Sequence, residues 1–103
     1  MPQELRLDLY VTDVLMRDLV GHDRAPSAFL VYLWLWRMSR GEGRERVGAS
    51  LQTIATQTGL SKSAVQAAVR HLKRRQLIAA TRDGPTAAPV YQLLEPWRRL
   101  SGP

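Results

Sequence analysis

Apolar residues near the start of the chain recur at helical spacing. Leu15 and Leu19 lie four residues apart, and Thr12 or Asp13 precedes them as a candidate N-cap. Because glycine commonly follows the last turn of a helix, Gly21 marks its expected end. The pattern therefore predicts a first amphipathic helix that runs to about Val20.

The stretch at residues 28–36 is apolar on every side of the helix that it predicts. Ser27 is placed to cap this helix, which is expected to run to about Arg40, where two glycines follow. A helix of this kind must be covered on all faces, and it is far shorter than the ~20 apolar residues that span a bilayer. Trp34 and Trp36 point about 200° apart on such a helix. One of them therefore needs a cover outside the central core, from the N-terminal helix or from a second copy of the chain.

Two shorter helices follow, and each is preceded by a serine. Ser50 is expected to cap a helix over residues 51–58 that Gly59 ends, and Ser61 to cap a helix that runs to about Arg75. The second of these helices repeats apolar residues at helical spacing and leaves a polar, basic face. The pair predicts a helical hairpin with a tight turn at the glycine.

The remaining segments have the pattern of strands. Residues 47–49 predict a short edge strand, and residues 77–82 and 90–93 predict two strands joined by a loop that opens with a Gly-Pro turn. Pro96 suits the first position of a short C-terminal helix.

The order of helix, short strand, helix, tight turn, helix and hairpin carries a specific set of residues. They are Leu51, Ile54, Ala55, Gly59, Leu60, Ser61, Ser63, Val65, Val69, Leu72, Leu77 and Ile78. In this pattern the chain resembles the winged helix-turn-helix domain of bacterial regulators of the MarR and GntR types, and it is also similar to the DNA-binding domains of plasmid replication initiators.

The resemblance covers residues 27–94 and implies a mainly α fold with a small β-hairpin, a winged helix-turn-helix with an extra N-terminal helix. It divides the chain into an N-terminal helical extension at 1–26, the winged helix-turn-helix DNA-binding domain at 27–94, and a C-terminal tail with a short helix at 95–103.

Several positions of the pattern have a physical reason. Ala55 is small enough for two helices to approach closely, Gly59 permits the positive φ of a tight turn, and Ser61 satisfies free N–H groups at the next helix start. The pattern departs at Gln76, where the family usually has glycine before its Leu-Ile pair. Glutamine in that turn is expected to be strained.

The net positive charge of the chain comes from one part of it. The 103 residues include 15 Lys and Arg and 9 Asp and Glu, a net charge of +6. From Arg46 to Arg82 there are seven basic residues and no acidic one, whereas the rest of the chain holds eight basic and all nine acidic residues. A solvated helix face usually interleaves Glu with its Lys and Arg. The acid-free stretch is instead typical of a surface that binds a polyanion.

The resemblance implies which residues contact double-stranded DNA. The helix after Ser61 would enter the major groove with its N-terminal part on base edges. Ser63, Gln66 and Arg70 are the candidates for base contacts, because Gln can pair with adenine and Arg with guanine. The complete set of DNA-binding candidates is Ser50, Gln52, Thr53, Ser61, Lys62, Ser63, Gln66, Ala67, Arg70, Lys73, Arg74, Arg82 and Thr86.

Within this set the roles differ. Ala67 could touch a thymine methyl group, and Arg82 and Thr86 would contact the minor groove or a phosphate from the wing. Phosphate contacts are expected of Lys62, Lys73, Arg74 and also Arg75. His71 is expected beside a phosphate or on the surface.

A homodimer is expected, because regulators of this architecture commonly pair through helices outside the DNA-reading unit and a twofold dimer matches a palindromic site. The candidate interface residues are Leu15, Leu19, Trp34, Trp36 and Trp97. The alternative is a monomer that folds its own N-terminal helix over Trp36.

Other functions find little support in the sequence. The chain has no cysteine, which excludes disulfides and thiolate zinc sites, and its two histidines lack metal-ligand spacing. No catalytic grouping or phosphate-binding loop is recognisable, so we expect no enzyme activity, no cofactor, no metal and no membrane partner, in a cytoplasmic protein. A transcription regulator is the favoured function. A replication-initiator-type DNA-binding domain, a winged helix that serves only as a protein-protein interaction module, and a small-molecule effector remain open.

Overall fold

The structure is a computed structural model that describes residues 3–101. The outermost residues of the predicted extension and tail, 1–2 and 102–103, lie outside this range. The helices are α1 (Pro26–Ser39), α2 (Leu51–Thr58), α3 (Lys62–Arg74) and α4 (Pro96–Ser101), and the strands are β1 (Arg46–Gly48), β2 (Ile78–Thr81) and β3 (Val90–Leu93). Two π-helical stretches, Val11–Leu15 and Arg17–His22, precede α1, and a 3₁₀ turn, Arg40–Glu42, follows it.

The N-terminal helical segment, which comprises the two π-helical stretches, differs from its prediction. Neither Thr12 nor Asp13 caps it, because both lie inside the first π-helical stretch, whose N-cap is Tyr10. The Thr12 hydroxyl donates instead to the carbonyl of Leu9, and the segment continues past Gly21. The buried residues Val11, Leu15 and Leu19 are spaced by four. That spacing keeps them on one face of a π-helix, whose hydrogen bonds close over five residues instead of four.

Helix α1 forms the centre of the fold. It begins at Pro26, whose fixed φ and missing N–H suit the first helical position, with Ala25 instead of Ser27 as N-cap. Most of its apolar side chains are buried, but Leu30 is 44% exposed, so the helix is not covered on every face as the sequence predicted. Trp36 is 2% exposed, and its indole N–H donates to the carbonyl of Arg6 at 2.7 Å.

The two ends of the chain cover Trp36. The ring of Trp97, at the start of α4, stacks on Trp36 with centroids 6.4 Å apart and on Tyr10 with centroids 4.6 Å apart. Its indole N–H also donates to Asp8 Oδ2 at 3.0 Å. Arg98 binds Asp8 as well and holds the pKa of that carboxyl below its usual value. The cover that the sequence required for the second tryptophan therefore comes from within the chain.

The helix-turn-helix forms as its local sequence predicts. Ser50 Oγ accepts from the N–H of Thr53, and Ser61 Oγ accepts from the N–H of Ala64, each at 3.1 Å. Gly59 ends α2 with φ +79°, a value that side chains of L-residues rarely adopt. Helices α2 and α3 consequently begin and end within one residue of the predicted positions.

The sheet has three antiparallel strands in the order β1-β3-β2. Val47 pairs with Tyr91 on one side of β3, and Ala80 pairs with Tyr91 on the other. The predicted hairpin of β2 and β3 is therefore extended by β1 at its edge. Gln76 enters the sheet with φ +56°, which confirms the strained turn expected where the family carries glycine.

Candidate nucleic-acid interface

Helix α3 has two chemically distinct faces. Val65, Ala68, Val69 and Leu72 are buried against the rest of the fold. The opposite face is exposed and carries eight of the eleven predicted DNA contacts of the helix hairpin, namely Ser61, Lys62, Ser63, Gln66, Ala67, Arg70, Lys73 and Arg74. Because α3 contains no acidic residue, this face presents cations, neutral hydrogen-bonding groups and the methyl group of Ala67.

The polar residues at the start of α2 already have partners within the protein. Ser50 is partly buried and contacts Thr53 through both its cap and a hydroxyl pair at 3.0 Å. The Gln52 amide donates to Thr56 at 3.4 Å, a long contact that an external acceptor can replace. The structure brings these side chains to the surface, where Gln52 and Thr53 are exposed.

A trough separates α3 from the sheet. It encloses about 310 Å³, and its polar walls are formed by Gln66, Arg70, Lys73, Thr81, Arg82 and Tyr91. Three of these residues are cations and none is acidic. We call this feature the helix–wing trough, because it joins the exposed face of α3 to the hairpin formed by β2 and β3.

Thr81 and Tyr91 are polar trough residues that the sequence analysis did not include among the DNA contacts. Of the two, Tyr91 is the buried one. It is 2% exposed, and burial raises the pKa of its phenol. In the sequence it reads as an inward-facing strand residue, which it is, and no pattern distinguishes it from other core positions. Thr86 lies on the exposed loop after β2 and does not line the trough, whereas Arg82 does.

His71 and Arg75 depart from their expected roles beside phosphates. His71 Nε2 lies 2.7 Å from Asp23 Oδ2, and Arg75 Nε lies 3.0 Å from the same oxygen. The Arg75 guanidinium also approaches Asp18 at 3.8 Å. Both side chains are therefore held by carboxylates of the N-terminal part of the chain, which no sequence spacing brings next to α3.

The predicted dimer interface is mostly internal to the chain. Leu15, Leu19 and Trp36 are at most 4% exposed and pack into the core of the protomer, so they offer no surface to a second copy. Trp34 and Trp97 are half-buried. The chain itself covers most of the side chains that a second copy was expected to cover.

Within residues 3–101, no group of three or more His, Cys, Asp or Glu side chains is arranged to hold a metal ion. No helix in that part of the chain is long and apolar enough to cross a membrane.

The trihelical core, the tight turn at Gly59 and the three-stranded sheet define a winged helix-turn-helix domain. The family model of the helix-turn-helix domain matches residues 25–78, just over half of the chain, and the chain belongs to this family. No curated protein and no solved structure shows a significant match to the chain. Membership of the family supports DNA as the partner.

Proposed function

We propose that this protein is a sequence-specific double-stranded DNA-binding protein that regulates transcription, with α3 inserted in the major groove. The observation that carries the proposal is the acid-free exposed face of α3, continued by the cations of the helix–wing trough. A duplex presents phosphates on both sides of its major groove, and cations beside the reading helix fit those positions.

The exposed residues of α3 divide into two roles in this proposal. Ser63, Gln66 and Arg70 read base edges, and Ala67 touches a thymine methyl group. The phosphates are held by Lys62, Lys73, Arg74 and, from the wing, Arg82 and Thr86. The starts of α2 and α3, with Ser50, Gln52, Thr53 and Ser61, face the DNA backbone near helix N-termini, where the free N–H groups favour anions.

The test is binding to duplex DNA as the salt concentration is varied. A protein that neutralises several phosphates loses affinity steeply, with log K falling by about 0.9 for each contact per log unit of salt. The matched pair is Lys73→Ala, which removes a trough cation, and Arg17→Ala, which removes an exposed cation from the N-terminal segment. We expect a shallower salt slope for Lys73→Ala only. No binding at low salt overturns the proposal.

A second test addresses sequence preference. Selection from random duplexes should enrich one motif with the wild-type chain, and Arg70→Ala should relax that motif at one position. If no motif is enriched, the protein binds DNA without the proposed sequence specificity, and the proposed regulatory role is wrong.

A homodimer and a cytoplasmic location, where bacterial DNA lies, complete the proposal. Two copies related by a twofold axis would read two half-sites about one helical turn apart. Since Leu15, Leu19 and Trp36 are internal, the pairing would use Trp34 and the surface around it. Analytical ultracentrifugation at micromolar concentration tests this part, and a purely monomeric result removes it while leaving the reading of a single half-site intact.

A further inference from the structure

The last turns of α3 meet the N-terminal segment at one buried carboxylate. Asp23 Oδ2 contacts His71 Nε2 at 2.7 Å and Arg75 Nε at 3.0 Å, and Asp23 Oδ1 contacts His22 Nδ1 at 2.8 Å. The Asp23 side chain is only 8% exposed. Hydrogen bonds from His22 and His71 hold the pKa of Asp23 below its ordinary value, so the carboxylate is charged at neutral pH and anchors α3.

The second ring nitrogen of His71 faces an arginine of the predicted DNA surface. Arg74 Nη2 lies 3.2 Å from His71 Nδ1. A guanidinium has donors and no acceptor, so Nδ1 accepts this hydrogen bond and carries no proton. The single ring proton is therefore on Nε2, from which it is donated to Asp23. This arrangement is that of a neutral imidazole.

We propose that His71 is a positioning residue that determines whether Arg74 is available to a DNA phosphate. While His71 is neutral, its Nδ1 retains the Arg74 guanidinium. A proton added at Nδ1 turns both ring nitrogens into donors and makes the contact with Arg74 one between two cations. The Arg74 guanidinium, which already lies at the exposed surface of α3, is then released from His71 and can pair with a phosphate of a bound duplex. This inference rests on the proposed DNA-binding function and names one device within it.

The charged groups that contact His71 or its partner Asp23 do not prevent the release of Arg74. Asp23 keeps its charge and accepts from the protonated ring as it does from the neutral one. Arg75 is already paired with Asp23 and Asp18. His22 is 82% exposed and contacts the other oxygen of Asp23, Oδ1.

The elements packed on α3, namely α1, α2 and β2, carry one charged side chain between them. Helix α2 and strand β2 contain no charged residue, and the one charged residue of α1, Arg37, pairs with Glu42 near the far end of that helix. On α3 itself, Arg70 and Lys73 belong to the trough. Histidine in general is the side chain that changes charge between pH 5 and 8, so the experiment compares the two ends of that interval.

The experiment measures the affinity of the full chain for a fixed duplex at about pH 8 and about pH 5.5, each over a range of salt concentrations. We expect the wild-type chain to bind on the order of fivefold more tightly at the lower pH. Its log K against log salt should also become steeper by about 0.9, the increment of one additional phosphate contact.

Four variants identify the source of the response. Arg74→Ala and His71→Gln should each lose the steeper salt slope at low pH, the first because the cation is gone and the second because glutamine does not titrate. Lys73→Ala is the matched control for Arg74→Ala: it should bind more weakly at both pH values and keep the response. His22→Gln should also keep it.

The outcomes separate this inference from the proposed function. A pH response that Arg74→Ala leaves intact, or that His22→Gln abolishes, overturns the inference while DNA binding stands. Absence of binding by every chain at low salt overturns the proposed function and the inference with it. Nitrogen-15 NMR of the free protein gives a readout without DNA: at about pH 8 the His71 ring should be protonated at Nε2, and a ring protonated at Nδ1 overturns the inference.

Discussion

Arginines in two regions of this protein have opposite surroundings. In the helix–wing trough, Arg70 and Arg82 line a surface without a carboxylate. Where the two ends of the chain meet, Arg40 and Arg98 both pair with Glu95. The first region has the composition of a binding surface, and the second has that of a structural contact.

The difference teaches that the formal charge of a segment is not its available charge. Arg75 belongs by sequence to the acid-free stretch, yet its guanidinium pairs with Asp18 and Asp23 from the N-terminal part of the chain. Nearby, the guanidinium of Arg74 contacts the ring of His71 instead of a carboxylate. The two regions should therefore respond to mutation in different measurements, one in stability and the other in DNA affinity.

The largest expected effect is on stability, at the contact between the chain's two ends. Trp36→Ala removes a ring that is 2% exposed and stacked on Trp97, and it should lower the free energy of unfolding by about 3–5 kcal/mol. Urea denaturation followed by circular dichroism measures this loss. A loss below ~1 kcal/mol would show that burial of Trp36 under the two ends of the chain contributes little to stability.

The next effect is on binding and belongs to the trough. Arg70→Ala should cost about 1–3 kcal/mol of affinity for the preferred site and relax its base preference. Lys73→Ala should weaken binding to all sequences alike. Both variants should unfold at the wild-type temperature, because neither side chain is buried. If the two variants lost affinity with the same sequence dependence, the division into base and phosphate contacts would be wrong.

A smaller effect concerns the paired carboxylate of the N-terminal region and depends on pH. Hydrogen bonds and charge from Arg98 lower the pKa of Asp8 from its ordinary value of 3.8. The folded state therefore gains stability from ionised Asp8 above that value and loses it as the pH falls through the lower pKa of the folded state. Asp8→Asn should reduce the melting temperature at pH 7, and this difference from wild type should disappear in strong acid. A difference that persists there would indicate that Asp8 acts through shape and not through charge.

The smallest effect is a gain in stability at the entry to the wing. Gln76 has φ +56°, and glycine adopts such a conformation without the steric cost. Gln76→Gly should stabilise the fold by up to ~1 kcal/mol, with DNA affinity unchanged. Thermal unfolding measures the gain, and Arg24, which also has a positive φ, offers a second position, Arg24→Gly, with the same expected sign.

Elements whose cause is local were predictable from the sequence. Ser50 and Ser61 cap α2 and α3 as expected, since a cap needs only a side chain and an N–H three residues later. The N-terminal segment was predicted less well. Its second π-helical stretch, which contains the buried Leu19, packs on α1, and a cap residue such as Thr12 carries no information about that packing.

The candidate site divides in the same way. The exposed face of α3 follows from helical periodicity, so residues such as Gln66 and Lys73 were identified correctly as surface positions. Tyr91 in the trough and the carboxylate bound to His71 were not foreseen. Both arise from elements that are distant in sequence and meet only when the sheet and the N-terminal segment fold onto α3.

The sequence by itself determined the helix-turn-helix, the strained turn at Gln76 and the acid-free character of α3, because each depends on neighbouring residues or on the charge of one segment. The tertiary structure alone decided which cations remain available. Asp23 lies 48 residues from His71 and still binds it, because packing of the N-terminal segment on α1 brings that carboxylate to the last turns of α3. Long-range pairing of this kind is a property of how the surfaces fit together, and no local pattern encodes it.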